Sequence, residues 1–160
     1  LLPLPWPDGS VDAAISLAGV HHLDDKAPFF AEIGRVLRPG GRFVLSDVEA
    51  GTPAARFLDG FVGRHNSTGH AGAFLDARTE GALREAGWHV VSTALARFHW
   101  AFPDRLAMAA FCHELFDIDA ASPSDVGRAI EAWLGVDELP RGGIGLRWSL
   151  RTILACKPMG

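Results

Sequence analysis

No tyrosine occurs anywhere in the 160 residues. This excludes the short-chain nicotinamide oxidoreductases, which move a proton through a Tyr and Lys pair. Cysteine is almost as scarce. Cys112 and Cys156 lie far apart and match no metal-ligand spacing, so a reducing, cytoplasmic setting with both thiols buried is expected. No apolar run approaches the roughly 20 residues of a membrane span, and no membrane partner is expected. An excess of basic charge is also lacking. Fifteen Lys and Arg face 19 Asp and Glu, with the signs interspersed and a net charge of -4. Nucleic-acid binding needs a basic stripe, which is absent. No G-x-x-x-x-G-K-[ST] occurs, which argues against a P-loop nucleotide hydrolase, and no G-x-S-x-G, which argues against a nucleophile-elbow hydrolase. No G-x-G-x-x-G follows a strand. Gly142-Gly143-Ile144-Gly145 opens no helix and reads as a turn. His113-Glu114 does not extend to H-E-x-x-H, and Asp117-Ile118-Asp119 lacks the glycine and downstream glutamate of a calcium loop. No metal is expected.

What is present is the composition of a globular domain, 48% hydrophobic and 21% charged, in one unit spanning 1–160. Strand-like and helix-like segments alternate, the pattern of an α/β fold. After the turn Pro7-Asp8-Gly9-Ser10, residues 11–17 form a short apolar run without period-two alternation, which reads as a strand buried on both faces. Asp24 or Asp25 offers an N-cap for a helix whose Phe29, Phe30, Ile33, Val36 and Leu37 recur at helical spacing. Arg38-Pro39-Gly40-Gly41 stops that helix, and a strand follows over 42–48. Thr52-Pro53 starts a short helix, and residues 63–72 read as a loop carrying His65 and His70. Asp76 caps a helix that Gly87 ends. Residues 88–98 form a strand, and 104–116 form a helix. Ser122-Pro123-Ser124-Asp125 opens another helix with a proline just inside it and an acid near the positive end of the dipole. In 146–155, Leu146, Trp148 and Leu150 alternate with Arg147, Ser149 and Arg151, giving a half-buried last strand.

Three stretches then carry a resemblance. They are Pro5-Trp6-Pro7-Asp8-Gly9-Ser10-Val11-Asp12 with the following Val20-His21-His22-Leu23; Arg35-Val36-Leu37-Arg38-Pro39-Gly40-Gly41-Arg42-Phe43-Val44-Leu45-Ser46-Asp47; and Leu83-Arg84-Glu85-Ala86-Gly87-Trp88 with the tail Ala155-Cys156-Lys157-Pro158. In this order and spacing they resemble the class I S-adenosylmethionine-dependent methyltransferases of the small-molecule, methyltransferase type 11 kind. The likeness is weakest over 102–143, where added helices are expected as an insertion that could lid a substrate pocket.

The resemblance implies a partial Rossmann-like, doubly wound sheet with its last strand antiparallel. This chain would hold strands four to seven. The first three strands, with the glycine-rich cofactor loop and the acidic residue that binds the ribose hydroxyls, would lie outside it. On that reading the strand over 11–17 presents an unpaired apolar edge, and the chain made alone would be unstable or would pair into a homodimer through it.

The implied function is methyl transfer from S-adenosylmethionine to a small-molecule acceptor. In open α/β sheets ligands sit beyond the carboxyl ends of the strands. This makes Ser16, Leu17, Ala18, Gly19 and His22 candidates for the cofactor. His21 and His22 are candidate general bases, since imidazole titrates near neutrality, and as neighbours at most one faces the reacting centre. His65, His70 and Trp100 are candidate substrate contacts. The bland readings stand beside these: a tight strand-to-loop turn, solvated loop histidines and ordinary core. The alternative function is a non-catalytic, truncated domain acting as an interaction module.

Overall fold

The computed structural model describes residues 2–159. Its elements are β1 (Val11–Leu17), a 3-10 turn (Val20–His22), α1 (Ala27–Val36), β2 (Leu37–Asp47), α2 (Pro53–Phe57), a π-helical turn (Leu58–Val62) and α3 (Gly63–His65). There follow α4 (Thr79–Glu85), β3 (His89–Phe102), α5 (Arg105–Leu115), α6 (Pro123–Trp133), β4 (Val136–Glu138) and β5 (Ile144–Cys156). The strand order is β1-β2-β5-β3, with β4 paired to β5. β1 runs parallel to β2, with Ser16 opposite Leu45. The last strand runs antiparallel to β2, with Leu154 opposite Val44. The partial doubly wound sheet with an antiparallel last strand is therefore observed.

The chain divides into two compact units: residues 1–48, 73–96 and 150–160, and residues 49–72 and 97–149. The first unit has an aromatic and aliphatic core. Phe30, Phe43, Leu37, Leu45, Leu83, Trp88 and Ile153 are all buried in it. The helical spacing of Phe30, Ile33 and Val36 turns one face of α1 inward. Trp88 packs 5.4 Å from Phe43, and its indole N–H donates to the Phe30 carbonyl at 3.2 Å, so the one polar atom of the ring is satisfied. Between β2 and β5 the hydroxyls of Ser46 and Thr152 meet at 2.8 Å.

Several local expectations need correction. The backbone places Lys26, not Asp24 or Asp25, at the N-cap of α1, while Asp25 accepts the Ala27 N–H from outside the helix. β1 is not buried on both faces. Among the described residues it pairs with β2 alone, and Ile15 and Leu17 are 75% and 66% exposed. Burial on both faces needs a packed layer on each side of the sheet, and the face that carries Ile15 and Leu17 is left uncovered by the described residues. Cys156 is half-buried, whereas Cys112 is buried as expected.

The second unit is helical around the end of a hairpin. Thr52 accepts from the Ala55 N–H to start α2. Ser122 and Asp125 form a reciprocal capping box on α6, where Val126, Ala129 and Ile130 are buried. His65 does not sit in a loop: the π turn carries the helix on to it. The short strand β4 was not foreseen, because Val136-Asp137-Glu138 is too brief and too acidic to show alternation. It pairs with β5 through Asp137 opposite Gly145.

Gly60 lies inside the π turn, where a β-carbon would fall 2.5 Å from the Trp133 ring. A β-carbon on Gly81, in α4, would meet nothing within 4 Å. Gly60→Ala is therefore expected to lower stability by about 1–3 kcal/mol through overpacking. Gly81→Ala should raise it by about 0.5–1 kcal/mol through helix propensity. Urea denaturation of the two variants checks both signs.

Burial in the second unit pushes the Cys112 thiol up to about 12. Native protein is expected to leave Cys112 unmodified by iodoacetamide at pH 8 while unfolded protein reacts, as peptide mass spectrometry can read.

Candidate functional site

The first unit gathers its polar groups beyond the carboxyl ends of β1 and β2. The parallel register sets Leu17 beside Ser46, and the Ala18 N–H then donates to the Ser46 carbonyl at 2.8 Å. Ala18 holds φ at 49°, in the left-handed region, where a side chain costs about 1–2 kcal/mol. That strain reverses the chain into the 3-10 turn Val20–His22.

Asp47, the last residue of β2, holds this turn. It is fully buried. One carboxylate oxygen accepts the N–H groups of Val20 at 2.8 Å and His21 at 3.1 Å. The other accepts the Val48 N–H at 2.7 Å and lies 2.7 Å from Nδ1 of His21. Burial pushes the Asp47 carboxyl up. The hydrogen bond and charge of His21, with the Val48 and His21 amides, outweigh it and leave the group below the ordinary aspartate value. An ionised carboxylate only accepts. Nδ1 of His21 must therefore be the donor, and in the neutral ring the lone pair sits on Nε2.

His21 is buried, and His22 beside it is exposed, with ring centroids 4.1 Å apart. The His21 carbonyl accepts the Ala73 N–H at 2.8 Å. Nζ of Lys26 donates to the carbonyls of Leu23 at 2.9 Å and Ala73 at 2.5 Å. Burial pulls the Lys26 ammonium below its ordinary value, against the nearby charge of Asp47.

Ser16 and Leu17 thus end β1, and Ala18, Gly19, His21 and His22 lie in the turn that follows it. The other three candidates lie in the second unit, each engaged in packing there. Nδ1 of His65 is 2.8 Å from the Phe61 carbonyl, and its own carbonyl accepts the Asp119 and Ala120 N–H groups. Nδ1 of His70 is 2.9 Å from an Asp59 oxygen that also accepts the Gly72 N–H. Trp100 packs 4.8 Å from Trp148 and 6.4 Å from Phe116. Asp47, which holds this turn, was not singled out from the sequence. Its signal was its place at the end of the strand neighbouring β1, just where a side chain reaches the next loop.

A family model described as "Methyltransferase domain" matches residues 1–45. The 27-O-demethylrifamycin SV methyltransferase of Amycolatopsis mediterranei is 34% identical over 87 residues, which are 54% of this chain and 32% of that protein. The O-methyltransferase rstn1 of Aspergillus nomiae is 37% identical over 62 residues, 38% of this chain and 28% of its own length. The chain thus spans about a third or less of these curated relatives. Among solved structures, a Bacillus halodurans protein superposes with a TM-score of 0.63 at 20% identity, over 98% of this chain and 74% of its own. Geranyl diphosphate methyltransferase superposes at 0.54 and 17% identity, over 98% and 54%.

The architecture is Rossmann-like α/β. Over residues 1–45 the chain is similar to a methyltransferase domain, and its fold is similar to those of solved methyltransferase structures.

The Asp47 pair contributes stability that depends on pH. Its folded value lies below its unfolded value, so the contribution is full above the ordinary aspartate range and is lost as pH falls through the depressed folded value. Amide exchange at Val20 and His21, corrected for intrinsic rate, is expected to stay slow at about pH 4 and to speed up only below it. Asp47→Ala should cost about 3 kcal/mol and remove that protection throughout, because it leaves buried donors unpaired.

Proposed function

We propose that the complete protein transfers a methyl group from S-adenosylmethionine to a nucleophilic atom of a small molecule. The observation that carries this reading is the buried Asp47 and His21 pair beyond β1, in a chain whose sheet order and sequence match methyltransferases. A small-molecule acceptor agrees with the name of the Amycolatopsis relative, a 27-O-demethylrifamycin SV methyltransferase. None of these matches favours a non-catalytic interaction module.

The loop after β1 fits the amino-acid end of the cofactor. Leu17, Ala18 and Gly19 are exposed, and a β-carbon on Gly19 would meet only the Leu17 carbonyl at 3.8 Å, so backbone groups stand open to a ligand. When bound, the cofactor supplies an electrophilic methyl group on a positively charged sulfur. His21 takes the acceptor's proton on Nε2, while Asp47 holds the other ring nitrogen and fixes the tautomer. His22, exposed against the His21 ring, orients the acceptor. In this scheme Asp47 is a positioning residue and His21 a catalytic one.

His21→Ala in the complete enzyme is expected to lower kcat by about 10²-fold or more, as loss of a general base does. His22→Ala should act chiefly on KM. Asp47→Asn should lower kcat and remove the Nδ1–H signal of His21 from the nitrogen-15 spectrum. Unchanged turnover in both histidine variants would eliminate the base.

A further inference from the structure

Lys26 stands where a lysine is least expected. It is the N-cap residue of α1, a place that favours Ser, Thr, Asp or Asn, and its side chain bonds no helix amide there. Its charge sits at the positive end of the helix dipole. The residue is half-buried, and burial pulls the ammonium below its ordinary value. Asp47, Asp76, Asp24 and Asp25 lie near enough to act on that charge. Nζ nonetheless donates to two backbone carbonyls, those of Leu23 at 2.9 Å and Ala73 at 2.5 Å. A residue that breaks the rules of its position points to a use for its tip.

The two carbonyls belong to different segments. Leu23 closes the turn that carries His21 and His22. Ala73 lies 47 positions from Lys26. Residues 73 and 74 belong to no helix or strand, so bonds to other segments decide where they lie. The Ala73 N–H donates to the His21 carbonyl at 2.8 Å, and the Leu75 N–H donates to the Val48 carbonyl at 3.0 Å. Phe74, between them, is half-buried with its ring 5.9 Å from the His21 ring. Ala73 is thus held at both polar atoms, its N–H by His21 and its carbonyl by Lys26. Asp47 fixes the His21 ring at one end of this series of bonds, and Lys26 anchors the other.

We propose that Lys26 is a positioning residue for methyl transfer: through the Ala73 peptide it holds the His21 and Phe74 rings in the one arrangement in which the acceptor is received. A lysine suits the task, because a compact ammonium donates to more than one carbonyl without imposing a plane on them. A base displaced by a fraction of its reach loses rate, so an anchor of this kind bears on the chemical step. The role deepens the methyl-transfer reading and rests on His21 as its base.

The test is nuclear magnetic resonance of the complete enzyme with labelled histidine and phenylalanine, in wild type, Lys26→Met and Lys26→Arg. Circular dichroism checks that each is folded. Lys26→Gln, neutral and one bond shorter, stands in if Lys26→Met does not fold, with the same result expected. Two signals are read: the Overhauser contact between the His21 and Phe74 rings, and the exchange of the His21 Nδ1–H with water. Lys26→Met is expected to lose the ring contact and to speed the exchange by about tenfold or more, as local opening does. Lys26→Arg, which keeps donors for both carbonyls, should resemble wild type. A folded Lys26→Met with both signals unchanged overturns the proposal even if it melts earlier, since that is a merely structural role. So does a Lys26→Arg that behaves as Lys26→Met. Failure of the methyl-transfer reading is told apart, because it is read from the turnover of His21→Ala and leaves these ring signals where they are.

Discussion

A single buried carboxylate organises the first unit. Asp47 draws donors from the turn after β1, from the backbone just past β2 and from an imidazole ring. A buried charge with fewer partners would be severely destabilising, so each of these bonds is needed for the others to be tolerable. Together they fix a segment that would otherwise relax, because Ala18 is held in a conformation that a residue with a side chain disfavours. The His21 ring is thereby oriented through one nitrogen, and its backbone carbonyl ties the segment at Ala73 into the same cluster.

The second unit is stabilised differently. Its interior is a ladder of rings, in which Phe61 stacks on Phe57, Phe57 meets Phe116 edge-on, and Phe116 stacks on Trp148. Its surface carries the ion pairs, with Arg105 bridging Glu131 and Glu138, and Arg147 bound to Asp137. Exposed pairs of this kind contribute little each, so the rings supply most of the cohesion and the charges choose geometry.

Much of this was legible in the sequence, and for identifiable reasons. Arg38-Pro39-Gly40-Gly41 announced that α1 could not continue, since proline and glycine act locally, although the helix already ends at Val36 and β2 begins at Leu37 rather than at Arg42. Ser122-Pro123-Ser124-Asp125 announced α6 in the same way, with the proline and the acid in its first turn, while the capping box there is a finding of the structure. The segment from Ser16 to His22 was legible as the turn that follows a strand, and its candidacy as a site rests on where such sheets bind ligands. Three things were not. β4 is a strand only because β5 offers it an edge. The π turn that carries His65 is selected by the packing of Gly60 under Trp133, a contact 73 positions apart in sequence. The role of Asp47 depends on the register between β1 and β2, which no residue reports alone. Local signals were readable, and those created by pairing were not.

The placement of the last strand has a bearing on synthesis. Ser46 and its partner Thr152 are separated by 106 positions, and β5 lies between β2 and β3. While the ribosome is still making the intervening residues, β2 has β1 on one side but not β5 on the other, and among the described residues β3 has no strand neighbour but β5. The sheet cannot zip up in the order in which it is translated. The nascent polypeptide must keep two strand edges apart until β5 emerges and slots between them. For this fold, final assembly is an insertion rather than an extension, and protection by a holding chaperone has most to offer in that interval.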